Sequence, residues 1–125
     1  MKIACSVPIL TLNARQGLER LLPLLIPAVD DVFILDGKST DGTREYASSL
    51  GVRVEDQYMD EASNILIRDF SVMRERSWAL AKHDWIFFMD ADEYPSESLL
   101  GVVRDIVERN DIRTVHEFIR IACLP

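Results

Sequence analysis

Four short apolar runs, each ending on a polar segment, are separated by stretches with the spacing of amphipathic helices. The runs are residues 2–12, Val32-Phe33-Ile34-Leu35, Val52-Arg53-Val54 and Trp85-Ile86-Phe87-Phe88-Met89. Short apolar runs rich in β-branched and aromatic residues and bounded by turn formers read as buried strands. Between the first two, Leu18, Leu21, Leu22, Leu25 and Val29 recur at i, i+3, i+4 spacing, which predicts a helix over 17–29. Pro23 inside it predicts a bend or a late start. A second helix follows from Thr43 to about Leu50, capped by Asp41 or Thr43 and stopped by Gly51. Leu66, Phe70, Met73, Ser77 and Leu80 share one face of a third. Ser96 caps a fourth, which carries Leu99, Val103, Ile106 and Val107 inward and ends at Asn110. Residues 57–65 show no period and read as a flexible loop, and residues 114–122 read as the start of another strand. This alternation predicts an α/β fold, a mostly parallel sheet with helices on both faces.

The chain has 125 residues, which is one domain with room for a core, and 48% of them are apolar, which excludes a disordered chain. A formal charge of −7 excludes a nucleic-acid surface built on clustered Lys and Arg. It also means that a phosphate ligand would need a cation beside it. Cys5 and Cys123 are isolated thiols without metal-ligand spacing, as expected of small buried hydrophobes in a reducing compartment. No run approaches the ~20 apolar residues of a membrane span. Residues 3–7 after Lys2 are too short for a secretory signal and are broken by Pro8. The expectation is a cytoplasmic domain without a transmembrane segment.

The fourth run stops on Asp90-Ala91-Asp92-Glu93. Side chains at i and i+2 of an extended chain point the same way. Asp90 and Asp92 therefore converge at the carboxyl edge of the sheet, where open α/β folds bind ligands. Adjacent carboxylates repel unless a proton or cation lies between them, and Mg²⁺ or Mn²⁺ suits such oxygen ligands. The alternative is a solvated loop whose acids cap the next helix. The same edge receives Thr11-Leu12-Asn13 and Asp36, the latter followed by residues 37–43, dense in Gly, Ser, Thr and Asp. Asp36 is suited to accept from a nucleobase N–H or ribose hydroxyls, or equally to satisfy backbone N–H groups of its own loop. Lys38 is placed to neutralise a phosphate. His83 and His116 read as structural.

Asp36-Gly37-Lys38-Ser39-Thr40-Asp41-Gly42-Thr43 resembles the V-D-[DS]-G-S-T-D-G-T loop of family 2 glycosyltransferases. Thr11-Leu12-Asn13 is similar to the T-x-N that ends their first strand. Arg76-Ser77-Trp78-Ala79-Leu80, Asp84-Trp85-Ile86 and Asp90-Ala91-Asp92-Glu93 resemble the family's R-N-x-A-L, D-W-[IV] and D-A-D-E, in a form frequent in the branch of lipopolysaccharide-core glucosyltransferases. The pieces stand in family order from about residue 6 to 109. Ala14-Arg15 stands where an acidic residue is usual, Ser77 replaces an Asn, and Gly37-Lys38 replaces the usual Asp/Ser-Gly pair. These departures bear on the choice of nucleotide rather than on the fold.

The resemblance implies a GT-A, Rossmann-like fold whose amino-terminal half binds a nucleotide-diphosphate sugar with Mn²⁺ or Mg²⁺. It implies that Asp36 reads the nucleoside, that Thr11 and Asn13 line its pocket, and that Arg76 lies near the base or phosphates. Asp90 falls near the ribose or sugar, and Asp92 with Asp90 at the metal. The family generally continues for roughly another hundred residues, the size of a further half-domain. By that measure residues 1–125 are a single truncated donor-binding domain whose carboxyl-terminal acceptor half is missing. The acceptor, a glycan or lipid-linked group met in the cytoplasm or at the membrane periphery, and the catalytic base go with that half. A receiver domain is excluded because strand one ends in Thr-Leu-Asn rather than an acidic pair. A haloacid-dehalogenase phosphatase would carry its Asp-x-Asp near the amino terminus. The remaining alternative is a non-catalytic nucleotide-sugar-binding module. A half-sheet with an uncovered edge also predicts self-association.

Overall fold

The computed structural model describes residues 1–58 and 69–110. They form, in chain order, β1 (Ile3–Thr11), α1 (Arg15–Leu25), β2 (Val29–Asp36), α2 (Thr43–Ser49), β3 (Arg53–Asp56), α3 (Phe70–Leu80), β4 (Met89–Asp90) and α4 (Glu97–Arg109). The sheet order is β3-β2-β1-β4 and every pairing is parallel. The chain steps outward from β1 to β3 and then returns to the other side of β1, so the topological switch lies between β1 and β4. That is where open parallel sheets form a ligand crevice.

Helices cover both faces. On one, Val7 and Ile9 of β1 and Ile34 of β2 pack with Leu18, Leu21, Leu22 and Leu25 of α1, Ala47 of α2, and Leu99 and Val103 of α4. A register shift between Ile3 and Ser6 lets both Ile3 and Val29 join this cluster. Phe33 and Leu35 of β2, one residue out of phase with Ile34, are buried outside that cluster, as are Met73 and Ser77 of α3. The fully buried Leu and Ile side chains contribute about 1.5–3 kcal/mol each relative to exposure.

Local signals close α2 and bound α4 as expected, whereas the N-cap of α2 is Gly42 at φ 93°, which makes no side-chain cap, rather than the expected Asp41 or Thr43. Ser96 Oγ accepts from Leu99 N–H at 3.1 Å, and Asn110 closes α4 at φ 52°. Gly51, at φ 79°, follows α2, with Gly51 N–H donating to Ser48 O and Val52 N–H to Ala47 O. This paired pattern satisfies carbonyls that the helix leaves open.

Several features differ from expectation: α1 ends at Leu25, Val29 opens β2 instead of closing the helix, and Phe70, expected on the inner face of α3, is exposed. Helix α1 starts earlier than residue 17, at Arg15, because a different loop caps it. Pro23 lies within its last turn and does not delay the start. The run 85–89 is only partly a strand: Ser6 bridges Ile86, pairing resumes at Ile9–Met89, and β4 proper is two residues. Pro8 of β1 sits in the gap and has no N–H to donate across it. Gln57, expected in a flexible loop, is buried and fixed by hydrogen bonds. The expected features at Leu66, His116, Cys123 and residues 114–122 lie outside the described residues.

Candidate functional site

Three loops meet at the carboxyl edge, and two of them are laced together. Asn13 adopts φ 49°, a left-handed conformation that Asn tolerates better than most residues. Its Oδ1 accepts from Thr40 N–H at 2.9 Å, while its own N–H donates to Ser39 Oγ at 2.7 Å. Ala14 N–H donates to Thr43 Oγ1 at 2.9 Å and Arg15 N–H to Asp41 Oδ2 at 3.2 Å. The first N–H groups of α1, which its own N-cap residue leaves without a side-chain acceptor, are thus capped by the loop after β2. Asp41 also accepts from the Thr43 N–H at 2.9 Å and from its hydroxyl. Partial burial pushes the Asp41 carboxyl up, but these hydrogen bonds outweigh it and hold the group below its ordinary value.

Asp36 anchors this lacing. It is 0% exposed. Its Oδ1 accepts from Thr11 Oγ1 and Ser39 Oγ, each at 2.6 Å. Its Oδ2 accepts from Ser39 N–H at 2.8 Å and from Arg44 Nη1 at 3.1 Å. Arg44 Nη1 also reaches Asp56 at 2.8 Å, tying the ends of β2 and β3 together. A carboxylate has about four acceptor positions, and here four donors engage them. Lys38, half-buried in the same loop, adopts φ 58°, whereas Gly37 is not among the residues of positive φ.

The second cluster is at β4. Carboxylate oxygens of Asp90, Asp92 and Glu93 lie within 4.8 Å of one another. Asp90 pairs in register with Leu10 of β1, the residue before Thr11, which in turn pairs with Asp36. The end of β1 therefore stands between the two clusters. Asp90 and Asp92 are exposed, and Glu93 Oε1 accepts from Asp90 N–H at 3.1 Å. Partial burial first, and then the carboxylates of Asp90 and Asp92, raise the Glu93 carboxyl above its ordinary value. An all-oxygen donor set of three carboxylates fits a hard divalent cation.

Of the sequence-predicted residues, Thr11, Asn13, Asp36 and Lys38 come together at the β1–β2 end, while Asp90 ends β4 and Asp92 lies in the turn after it, so a turn and not the expected extended strand gathers the two carboxylates. Arg76 reaches the same edge from α3, its Nε donating to Asp56 O at 2.7 Å. Sequence reasoning missed Arg44, Gln57 and Gly17. Arg44 had a faint signal, a cation just after the Asp-Gly-Thr turn. Gln57 and Gly17 had none. His83 is structural as expected, its Nε2 lying 2.7 Å from Asp30 Oδ2.

Sheet order and edge loops define an α/β protein of the GT-A, Rossmann-like type. The sequence pattern described as Glycosyl transferase family 2 matches residues 6–116, and the chain belongs to that family. It is 31% identical over 96 residues to an uncharacterized glycosyltransferase of Rickettsia bellii (strain RML369-C). That match covers 75% of this chain and 29% of the relative. Among solved structures it is similar to TarS 1–349 of S. aureus, at TM-score 0.65 and 20% identity, over 87% of this chain and 33% of that one. It is also similar to glucosyl-3-phosphoglycerate synthase of Mycobacterium tuberculosis in complex with Mn²⁺, UDP and glucosyl-3-phosphoglycerate. There the TM-score is 0.57 and the identity 25%, over 79% of this chain and 37% of that one. The chain thus spans about a third of the length of each of these proteins.

Proposed function

We propose that this chain is the amino-terminal, donor-binding part of a glycosyltransferase that takes a nucleotide-diphosphate sugar with Mn²⁺ or Mg²⁺. The single observation that carries the reading is the Asp90–Asp92–Glu93 carboxylate cluster at the carboxyl edge, one strand from the Thr11–Asp36 loops. Asp92 and Asp90 hold the cation, with Glu93 beside them. A bound divalent ion supplies Lewis-acid stabilisation of the departing nucleoside diphosphate. The nucleoside lies toward Thr11, Asn13 and Arg76, and Lys38 lies on the phosphate side. Asp36 acts there by holding the two loops in register, since its oxygens are already engaged. A direct contact with the base would require one of those donors to leave. The acceptor is a glycan or a lipid-linked group, and the Asp-Ala-Asp-Glu form favours the branch of lipopolysaccharide-core glucosyltransferases.

Calorimetric titration of UDP, GDP and dTDP with and without Mn²⁺ tests the donor site. Saturable binding that requires the metal and is abolished in Asp92→Asn is the expected result. Unchanged affinity in that variant would remove the metal assignment. Turnover of the sugar donor, rather than binding alone, separates a transferase from a binding module. No helix among the described residues is long and apolar enough to cross a membrane. Self-association would use the β4 edge, where Phe88 is 43% exposed, and would show as a concentration-dependent sedimentation coefficient lost in Phe88→Lys.

A further inference from the structure

Gln57 carries the one buried side-chain polar atom among the described residues that lacks a hydrogen-bond partner, its Oε1. The residue is 3% exposed and follows β3 directly. Its backbone N–H donates to Asp36 O at 3.1 Å. Its Nε2 donates to Thr11 O and to Leu35 O, each at 3.0 Å. The amide orientation is fixed by those two bonds, because a flipped amide would set its oxygen against two carbonyl oxygens. A buried acceptor without a donor is uncommon in native structures and calls for an explanation such as an absent ligand or water.

We infer that Gln57 Oε1 accepts the imino N–H of a nucleobase, so that this chain takes a base with a protonated pairing edge (uracil, thymine or guanine) rather than cytosine. The inference rests on the donor-site reading above and deepens it. The missing partner must be a donor, which excludes the diphosphate oxygens and leaves the base N–H or a sugar hydroxyl, of which the base fits better. The position agrees. Nε2 spans the β1–β2 gap, while the carboxylate cluster is on β4, the strand on the other side of β1. With neighbouring strands about 4.8 Å apart, that offset is about 7 Å, a span suited to the stretch from a metal-held diphosphate to its base. Oε1 has almost no accessible surface, so its cover must part to admit the ligand, and a flat ring edge needs less room there than a furanose. Discrimination then follows from hydrogen-bond chemistry: a buried acceptor facing the unprotonated N3 of cytosine stays unpaired, and a methyl group at N3 of uracil clashes as well.

The test is calorimetric titration of the chain, with Mn²⁺ present, by UDP, N3-methyl-UDP, CDP and 2′-deoxy-UDP. The expected result is binding of N3-methyl-UDP and CDP at least tenfold weaker than UDP, with 2′-deoxy-UDP much closer to UDP. In Gln57→Met the ratio of UDP to N3-methyl-UDP affinity should fall toward one. If that variant does not fold, the side-chain carbonyl carbon of Gln57 in the wild-type chain gives the same answer by NMR. It should shift with UDP and not with N3-methyl-UDP. Equal affinity for UDP and N3-methyl-UDP would overturn the inference, with a trapped water as partner, and leave the donor site standing. Discrimination that survives in Gln57→Met, or that follows the 2′-hydroxyl instead, would also overturn it. Failure of every nucleotide to bind would remove the donor-site reading and the inference with it.

Discussion

A β-carbon added at Gly17 would lie 2.4 Å from the carbonyl oxygen of Ala91. The first turn of α1 therefore rests directly on the backbone between Asp90 and Asp92, and only a residue without a side chain permits the approach. The contact joins the β1–α1 loop to the carboxylate cluster. Gly17→Ala should weaken metal-dependent nucleotide binding at least tenfold, by displacing Ala91 and the two flanking carboxylates. Overpacking of this kind typically costs about 1–3 kcal/mol, partly offset by about 1 kcal/mol of better helix propensity. The net loss of stability should thus stay at about 0–2 kcal/mol beside the loss of binding. Parallel titration and urea unfolding measure the two, and unchanged affinity would mean that the loop accommodates the methyl group.

The β2–α2 loop offers a test of backbone conformation. Lys38 has φ 58°, while the neighbouring glycine at 37 is not at positive φ. In the family pattern the glycine stands at the position Lys38 occupies. A residue with a β-carbon pays about 1–2 kcal/mol in the left-handed region, whereas glycine enters it freely. Lys38→Gly should therefore be more stable than Lys38→Ala by about 1 kcal/mol. Comparing two variants that both lack the ammonium group cancels its contacts. Urea midpoints in the reverse order would contradict the assigned conformation.

Acid should unfold the chain partly through Asp31. This carboxylate is buried beneath Ser6, whose Oγ donates to it at 2.7 Å. It also accepts from Lys82 N–H at 2.9 Å and from Arg53 Nη2 at 3.2 Å. Burial pushes its carboxyl up, but these bonds outweigh burial and bring it below the ordinary value of 3.8. A folded-state value below the unfolded one contributes stability that is present above the unfolded value and is lost as pH falls through the folded one. The contribution of Asp31 is thus complete at pH 5 and above, and fades below about pH 4. Asp31→Asn should cost about 1–3 kcal/mol at pH 7, since hydrogen bonds to a charged group are lost. The difference from wild type should shrink as pH falls below 4. A difference independent of pH would assign the effect to shape rather than charge.

Legibility in the sequence followed the range of the interaction. Gly51, Ser96 and Asn110 act within a few residues of their own helices, and each was readable. The Asp90–Asp92 pair is legible because the two carboxylates stand two residues apart, although a turn after β4, closed by Glu93 N–H donating to Asp90 O at 3.0 Å, and not an extended strand brings them together. The start of α1 was misplaced because Thr43 and Asp41, far along the chain, cap it. The run from Trp85 reads as an unbroken strand by itself, and its interruption comes from Pro8 on the neighbouring strand. Gln57 has no periodic context, so its burial depends wholly on carbonyls of β1 and β2. What the sequence left unread in the site, Gly17 against Ala91 and Arg44 against Asp36, is likewise contact between separate elements.

Arg44 supplies the last test, because it is the cation beside a fully buried carboxylate. Its Nη1 bridges Asp36 at 3.1 Å and Asp56 at 2.8 Å. Removing one partner of a buried ion pair commonly costs about 3–5 kcal/mol, since the other charge stays buried without compensation. Asp36 retains Thr11, Ser39 Oγ and Ser39 N–H as donors, and the Arg44 side chain is itself partly exposed. Arg44→Met should therefore cost less, about 2–3 kcal/mol, while keeping most of the aliphatic packing. Asp36→Asn in the Arg44→Met background should add less than the same change in wild type, because the two changes remove one shared interaction. A double-mutant cycle by urea unfolding measures that coupling. Additive losses would show that hydroxyl and backbone donors, not the guanidinium, hold Asp36 at the centre of the edge loops.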